Sequence, residues 1–89
     1  MPSVEFTKAM QRHVEAPPAT VDGATVRAAL DAYFVERPEV RSYVLDEQGG
    51  LRKHITVFLN GDQIVDRASM TDAVGDADVI HVMQALSGG

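Results

Sequence analysis

The run Val79-Ile80-His81-Val82-Met83-Gln84-Ala85 carries few polar side chains on either of its alternating faces. A strand of that kind is expected in mid-sheet, with a neighbour on each side, because an edge position would leave apolar surface and backbone groups in water. It follows all the other strong segments of the chain. Any sheet built from the earlier segments must therefore leave a central gap for it.

The earlier segments supply such a sheet. Val4-Glu5-Phe6-Thr7-Lys8 alternates apolar and polar residues, the period of a half-buried strand. Gln11 to Glu15 is expected to return antiparallel to it, ending at Pro17-Pro18, which cannot sit in a central ladder. Val21 to Thr25 reads as a loop, with Thr25 or Asp22 placed to cap a helix. From Val26 the period changes: Val26, Ala29, Leu30, Tyr33 and Phe34 make one helical stripe, bounded by Pro38. Val40 to Leu45 is expected to be another strand, with a turn over Asp46-Glu47-Gln48-Gly49-Gly50. His54 to Leu59 is the strongest β segment, followed by the hairpin dipeptide Asn60-Gly61 and a short return at Gln63-Ile64-Val65. Arg67 to Asp78 is polar and connective, with a single turn expected around Ser69 to Val74.

A hairpin, one main helix, further strands and a central last strand describe an α+β domain with a mixed sheet and one helix packed across it. If the last strand inserts beside the first, the architecture is a β-grasp with an added β-hairpin over Val40 to Lys53. A ferredoxin-like sandwich would need a second full helix, for which Arg67 to Asp78 is a poor candidate. The expected organisation is a domain over residues 1–85 and a flexible Gly-Gly tail over residues 86–89.

Bulk properties narrow the functional classes. Eighty-nine residues with 45% apolar and 24% charged side chains make one globular domain with a modest core. The formal net charge is −5 and no basic run is present, which argues against nucleic acid as a partner. An acidic surface is expected to dock a basic protein groove. Without cysteine there is neither a disulfide framework nor a thiolate metal site. No apolar run approaches membrane-spanning length, so no membrane partner and a cytoplasmic location are expected.

The β-grasp order, Ile55-Thr56-Val57-Phe58-Leu59-Asn60-Gly61, Asp76-Ala77-Asp78-Val79-Ile80 and the final Gly88-Gly89 together resemble the ubiquitin-like sulfur carriers. These include the small subunit of molybdopterin synthase, the thiamine-pathway carrier and the carrier feeding the thiocarboxylate-dependent cysteine synthase. Met83-Gln84-Ala85 stands where molybdopterin synthase subunits often have a proline pair. The stretch Val40 to Lys53 exceeds the compact thiamine type and is closer to cysteine-pathway and archaeal-type members.

The resemblance implies a chemistry for the tail. An E1-like adenylating and sulfurtransferase enzyme uses ATP and Mg²⁺ to join the C-terminal carboxylate to AMP, replacing a poor leaving group with a good one. Sulfide or a persulfide then displaces AMP, giving a thiocarboxylate that donates sulfur through a sulfur-accepting synthase. On this chain Gly89 would supply the carboxylate, Gly88 a slim passage, and Leu86-Ser87 the segment held by the partner. The protein would then be a cosubstrate or the small subunit of a synthase, binding no cofactor itself. Two other readings share the fold. One is a ubiquitin-like modifier joined to lysines through the same tail; the other is a plain β-grasp binding module with incidental glycines.

A partner also needs a docking surface. Period-2 bookkeeping points Ile55, Val57, Leu59, Ile80 and Val82 toward the helix, and Thr56, Phe58, His81 and Met83 away from it. Phe58 and Met83 are expected side by side on the open face, as an interaction patch or beneath the Val40 to Lys53 segment. His13, His54 and His81 have no ligand spacing, and no metal site is expected. Asp72, Asp76 and Asp78 lack calcium-loop spacing and are expected to form turns and to aid docking. Ser3, Ser42, Ser69 and Ser87 have no nucleophile context.

Overall fold

The computed structural model describes residues 1–84. In chain order the elements are β1 (Ser3–Phe6), α1 (Lys8–Gln11), β2 (Ala19–Thr20), α2 (Val26–Glu36), α3 (Pro38–Val44), β3 (Ile55–Leu59), β4 (Asp62–Gln63) and β5 (Val79–Gln84). The five strands form one mixed sheet in the order β2-β1-β5-β3-β4. As the sequence requires, β5 takes the centre, parallel to β1 and antiparallel to β3. With α2 packed across one face, this is the expected ubiquitin-like β-grasp.

The main helix forms for local reasons and is held by its apolar stripe. Thr25 caps it, its Oγ1 accepting from the Ala28 amide at 3.1 Å. Val26, Ala29, Leu30, Tyr33 and Phe34 are all buried, against the sheet face made by Val4, Phe6, Ile55, Val57, Ile80 and Val82. Each such large side chain contributes about 1.5–3 kcal/mol when fully buried. The Tyr33 ring lies 5.0 Å from that of Phe6, centroid to centroid. Its hydroxyl donates to the Pro17 carbonyl at 2.7 Å, fastening the proline loop to the helix. Burial raises the Tyr33 phenol above its usual pKa.

Two expected strands are absent, one replaced by the end of a short helix and a turn, the other by a helix. Gln11 to Glu15 does not return along β1: Thr7 caps the short α1, and Met10 turns into the core. The antiparallel partner comes later, beyond the prolines, where β2 pairs Ser3 with Thr20 and Val4 with Ala19. Likewise Val40 to Leu45 is not a strand, because Pro38 both stops α2 and starts α3 at the position where a helix tolerates a missing amide. Val40 and Val44, four apart, then share the buried side of α3.

The added β-hairpin is accordingly replaced by α3 and a tight turn closed by a single bridge between Leu45 and Leu51. The Asp46 carboxylate holds that turn, accepting from the Gln48 and Gly50 amides at 2.9 and 3.0 Å.

The hairpin signal appears where it was expected. Asn60 and Gly61 have φ of 52° and 92°, the left-handed pair that joins β3 to β4 with the twist a two-residue hairpin needs. The segment after β4 contains no further helix; in place of the single turn expected around Ser69 to Val74 it has turns at 76–77 and at 67–69. There the Asp66 carboxylate accepts from the Ala68 and Ser69 amides and the Thr71 hydroxyl. These bonds hold its carboxyl below the usual range.

Candidate functional site

The sheet register fixes what surrounds the point where the chain leaves the fold. β5 pairs Ile55 with Gln84, Thr56 with Met83, Val57 with Val82, Phe58 with His81 and Leu59 with Ile80. On its other side β5 pairs Glu5 with His81 and Phe6 with Val82, and the Thr7 amide donates to the Val82 carbonyl at 3.3 Å. Thus β1 ends, β3 begins and β5 ends at one pole of the sheet. Gln84 there shares the lining of a cavity of about 240 Å³ with His13, Tyr43 and His54. The Tyr43 hydroxyl donates to the His13 carbonyl at 3.3 Å, tying α3 to the loop after α1. Leu86, Ser87, Gly88 and Gly89, the expected reactive tail, lie outside the described residues.

The face away from α2 carries the expected docking residues in a different arrangement. Phe58 stands opposite His81, not opposite Met83, whose direct partner is Thr56. Met83 is therefore a diagonal neighbour of Phe58, about 7–8 Å away by ordinary strand geometry. A slip of two residues preserves which face a side chain uses and changes only its row. Met83 is 39% exposed, so the segment over Val40 to Lys53 does not cover it, and Phe58 is half-buried. His81 Nε2 sits 3.1 Å from Glu5 Oε1. This contact between β5 and β1 escaped sequence reading because it depends on a parallel register.

The aspartates expected to make turns do so at the opposite pole. Asp78 accepts from the Gly75 amide and from Asn60 Nδ2, both at 2.7 Å. Those two bonds, the first larger, hold its carboxyl below the usual range. Asp72 accepts from the Val65 and Asp66 amides, and Asp76 pairs with the terminal amino group of Met1 at 3.0 Å. His13 and His54 share the lining of the cavity at Gln84 and His81 does not; among the described residues no three His, Cys, Asp or Glu groups could hold a metal ion. No helix among those residues is long and apolar enough to cross a membrane.

Comparison with known proteins places this geometry in a family. No protein-family model matches the chain. Small archaeal modifier protein 1 of Haloferax volcanii is 37% identical over 70 residues, covering 78% of this chain and 76% of the relative. The chain belongs to the ubiquitin-like β-grasp family of sulfur carriers and small protein modifiers. Among solved structures, small archaeal modifier protein 1 of H. volcanii superposes with a TM-score of 0.81 at 26% identity, covering 99% of this chain and 98% of that one. CysO in the BexX/CysO complex of Amycolatopsis orientalis gives a TM-score of 0.82 at 20% identity over the whole of both chains. CysO of Mycobacterium tuberculosis gives 0.80 at 15% identity, over 97% and 100% of the two chains. The last two likenesses concern the fold alone.

Proposed function

We propose that this protein is a sulfur carrier that reacts through the carboxylate of Gly89. The observation that carries this reading is the placement of β5. It is held between β1 and β3 as far as Val82 and remains paired with β3 through Gln84, so Leu86-Ser87-Gly88-Gly89 follow an anchored strand. Five residues beyond Gln84 can span at most about 17 Å, enough to present a carboxylate well clear of the fold to a partner's active site. Gly88 and Gly89 lack the Cβ atoms that would obstruct a narrow channel.

In the proposed reaction an E1-like activating enzyme uses ATP and Mg²⁺ to form the Gly89 acyl-adenylate and pyrophosphate. Hydrosulfide attacks the carbonyl carbon, a C–S bond forms, and AMP leaves with the electron pair of the broken C–O bond. With an enzyme persulfide as donor, a second thiol then cleaves the S–S bond to release the thiocarboxylate. The sulfur passes to a biosynthetic acceptor through a synthase of the molybdopterin, cysteine or thiamine type. The carrier contributes its carboxylate and docking surface; the activating enzyme supplies the catalytic groups.

Intact-mass measurement after incubation with ATP, Mg²⁺, an activating enzyme and sulfide tests this. The expected product has one sulfur in place of one oxygen, and Gly89→Ala does not form it. Full function after deletion of Gly88-Gly89 would return the chain to a plain β-grasp binding module.

A second reading is favoured by the 37% identity to a small archaeal modifier protein: the same activated tail passed to a lysine amine. Here the amine attacks the acyl carbon, a C–N bond forms and the leaving group departs. Lysine conjugates recovered from cells, with the Gly89 carbonyl in an isopeptide bond, would identify this use.

A further inference from the structure

The pole at which the chain leaves the sheet is cationic, in a protein whose net charge is −5. Lys8 follows the end of β1, Arg12 ends α1, and Lys53 precedes β3; all three side chains are exposed. None of the three has an ion-pair partner among the described residues. His13 and His54, also exposed, stand beside Arg12 and Lys53 and line the cavity with Gln84. No Asp or Glu occurs from Thr7 to Val14 or from Gln48 to His54. The nearest following carboxylate, Glu15, is engaged by Arg37 at 3.6 Å.

Acidic groups gather at the other end of the same strands. Asp62 lies in β4 beyond the end of β3, and Asp76 and Asp78 precede β5. Six residues of β5 at about 3.3 Å each separate the two ends. The net charge of −5 therefore does not describe the pole at which the chain leaves the sheet.

We infer that Lys8, Arg12 and Lys53 dock the tail-root pole onto a carboxylate-rich surface around the entrance through which a tail-processing enzyme takes the chain end. This rests on the reading of Gly89 as the reactive end. Exposed charges facing opposite charges across a contact rim mainly accelerate encounter and fix orientation. Their effect is accordingly on KM and its salt dependence, with chemistry at saturation unaltered.

The test is ATP–pyrophosphate exchange by an E1-like adenylating enzyme from the same organism, with the full-length carrier varied in concentration. Arg12→Glu/Lys53→Glu is expected to raise the KM for the carrier about tenfold with kcat unchanged. Added salt should raise the wild-type KM and leave the variant nearly flat. Asp62→Lys, at the far pole, should behave as wild type, and all three proteins should melt alike. Exchange by wild type with the same KM in the doubly reversed variant overturns the cationic docking pole and leaves the tail reading intact. A lower KM in that variant overturns it too, by showing a basic entrance. Absence of exchange with wild type overturns the tail reading itself, and the docking pole with it.

Discussion

Asn60 binds the β3–β4 turn to the start of β5 through Asp78: its Nδ2 donates to Asp78 Oδ1 at 2.7 Å while its Oδ1 accepts from the Val79 amide at 2.8 Å. One side chain thus completes a hairpin and fixes where the central strand enters the sheet. Asn60 also holds φ at 52°, a conformation asparagine tolerates better than most residues. Backbone conformation and cross-strand bonding are separable by substitution.

Asn60→Gly removes both hydrogen bonds and keeps the backbone relaxed, whereas Asn60→Ala removes them and adds about 1–2 kcal/mol of left-handed strain. Both variants should be less stable than wild type in urea titrations, with alanine lower by about that amount. Equal stabilities would mean that the turn relaxes to another type.

Acid should loosen the pole held by aspartates. Asp66 and Asp78 both have pKa values lowered from 3.8 by hydrogen bonds to their charged forms. The stabilisation they give is complete above the unfolded value and is lost as pH falls through the lower folded value. Melting temperatures followed from pH 7 downward should decline below about pH 4. Asp78→Asn should be less stable at neutral pH and should show a shallower decline. A decline as steep as wild type in that variant would remove Asp78 from the explanation.

Much of this architecture is readable from residue order, and the exceptions have common causes. The double-faced apolarity of Val79 to Val82 places β5 in mid-sheet, and Asn60-Gly61 fixes the hairpin, because each signal has one physical interpretation. Val40 to Leu45 is different: in six residues, valines four apart fit one side of a helix and an alternating strand alike. Pro38 was the deciding residue, being permitted at the first position of a new helix as well as at the end of the old one. At Gln11 to Glu15 the Thr7 cap and the inward Met10 outweigh a weak alternation. On the open face, parity gives the side of Phe58, His81 and Met83, but the row depends on a register set by long-range pairing. The tail's expected role lies in residues beyond those described, where sequence and family resemblance carry it.

Gly23 is needed for space. A Cβ built there would lie 2.5 Å from the Ala29 amide nitrogen and 2.8 Å from its Cα, so the loop passes directly against the first turns of α2. Neither neighbour is a side-chain end that could swing aside. Gly23→Ala is expected to destabilise the fold by about 1–3 kcal/mol, read as a lower urea midpoint with an unchanged slope. Wild-type stability would show that the loop can lift from the helix without loss.

The open face should contribute to partner binding through Met83 more cleanly than through Phe58. Met83 is 39% exposed and is held by its strand pairing with Thr56, so Met83→Asp should leave the melting temperature almost unchanged. Phe58 is half-buried between the His81 and Gln63 positions, so Phe58→Asp should lower stability as well as binding. If the face docks the activating enzyme, each variant loses about 1–2 kcal/mol of affinity, measured by calorimetry against the wild-type carrier. The informative comparison is Met83→Asp with Val35→Asp, because Val35 is 79% exposed on α2, on the other side of the sheet. Loss at Met83 with none at Val35 locates the contact on the open face, and equal binding by both variants would exclude that face.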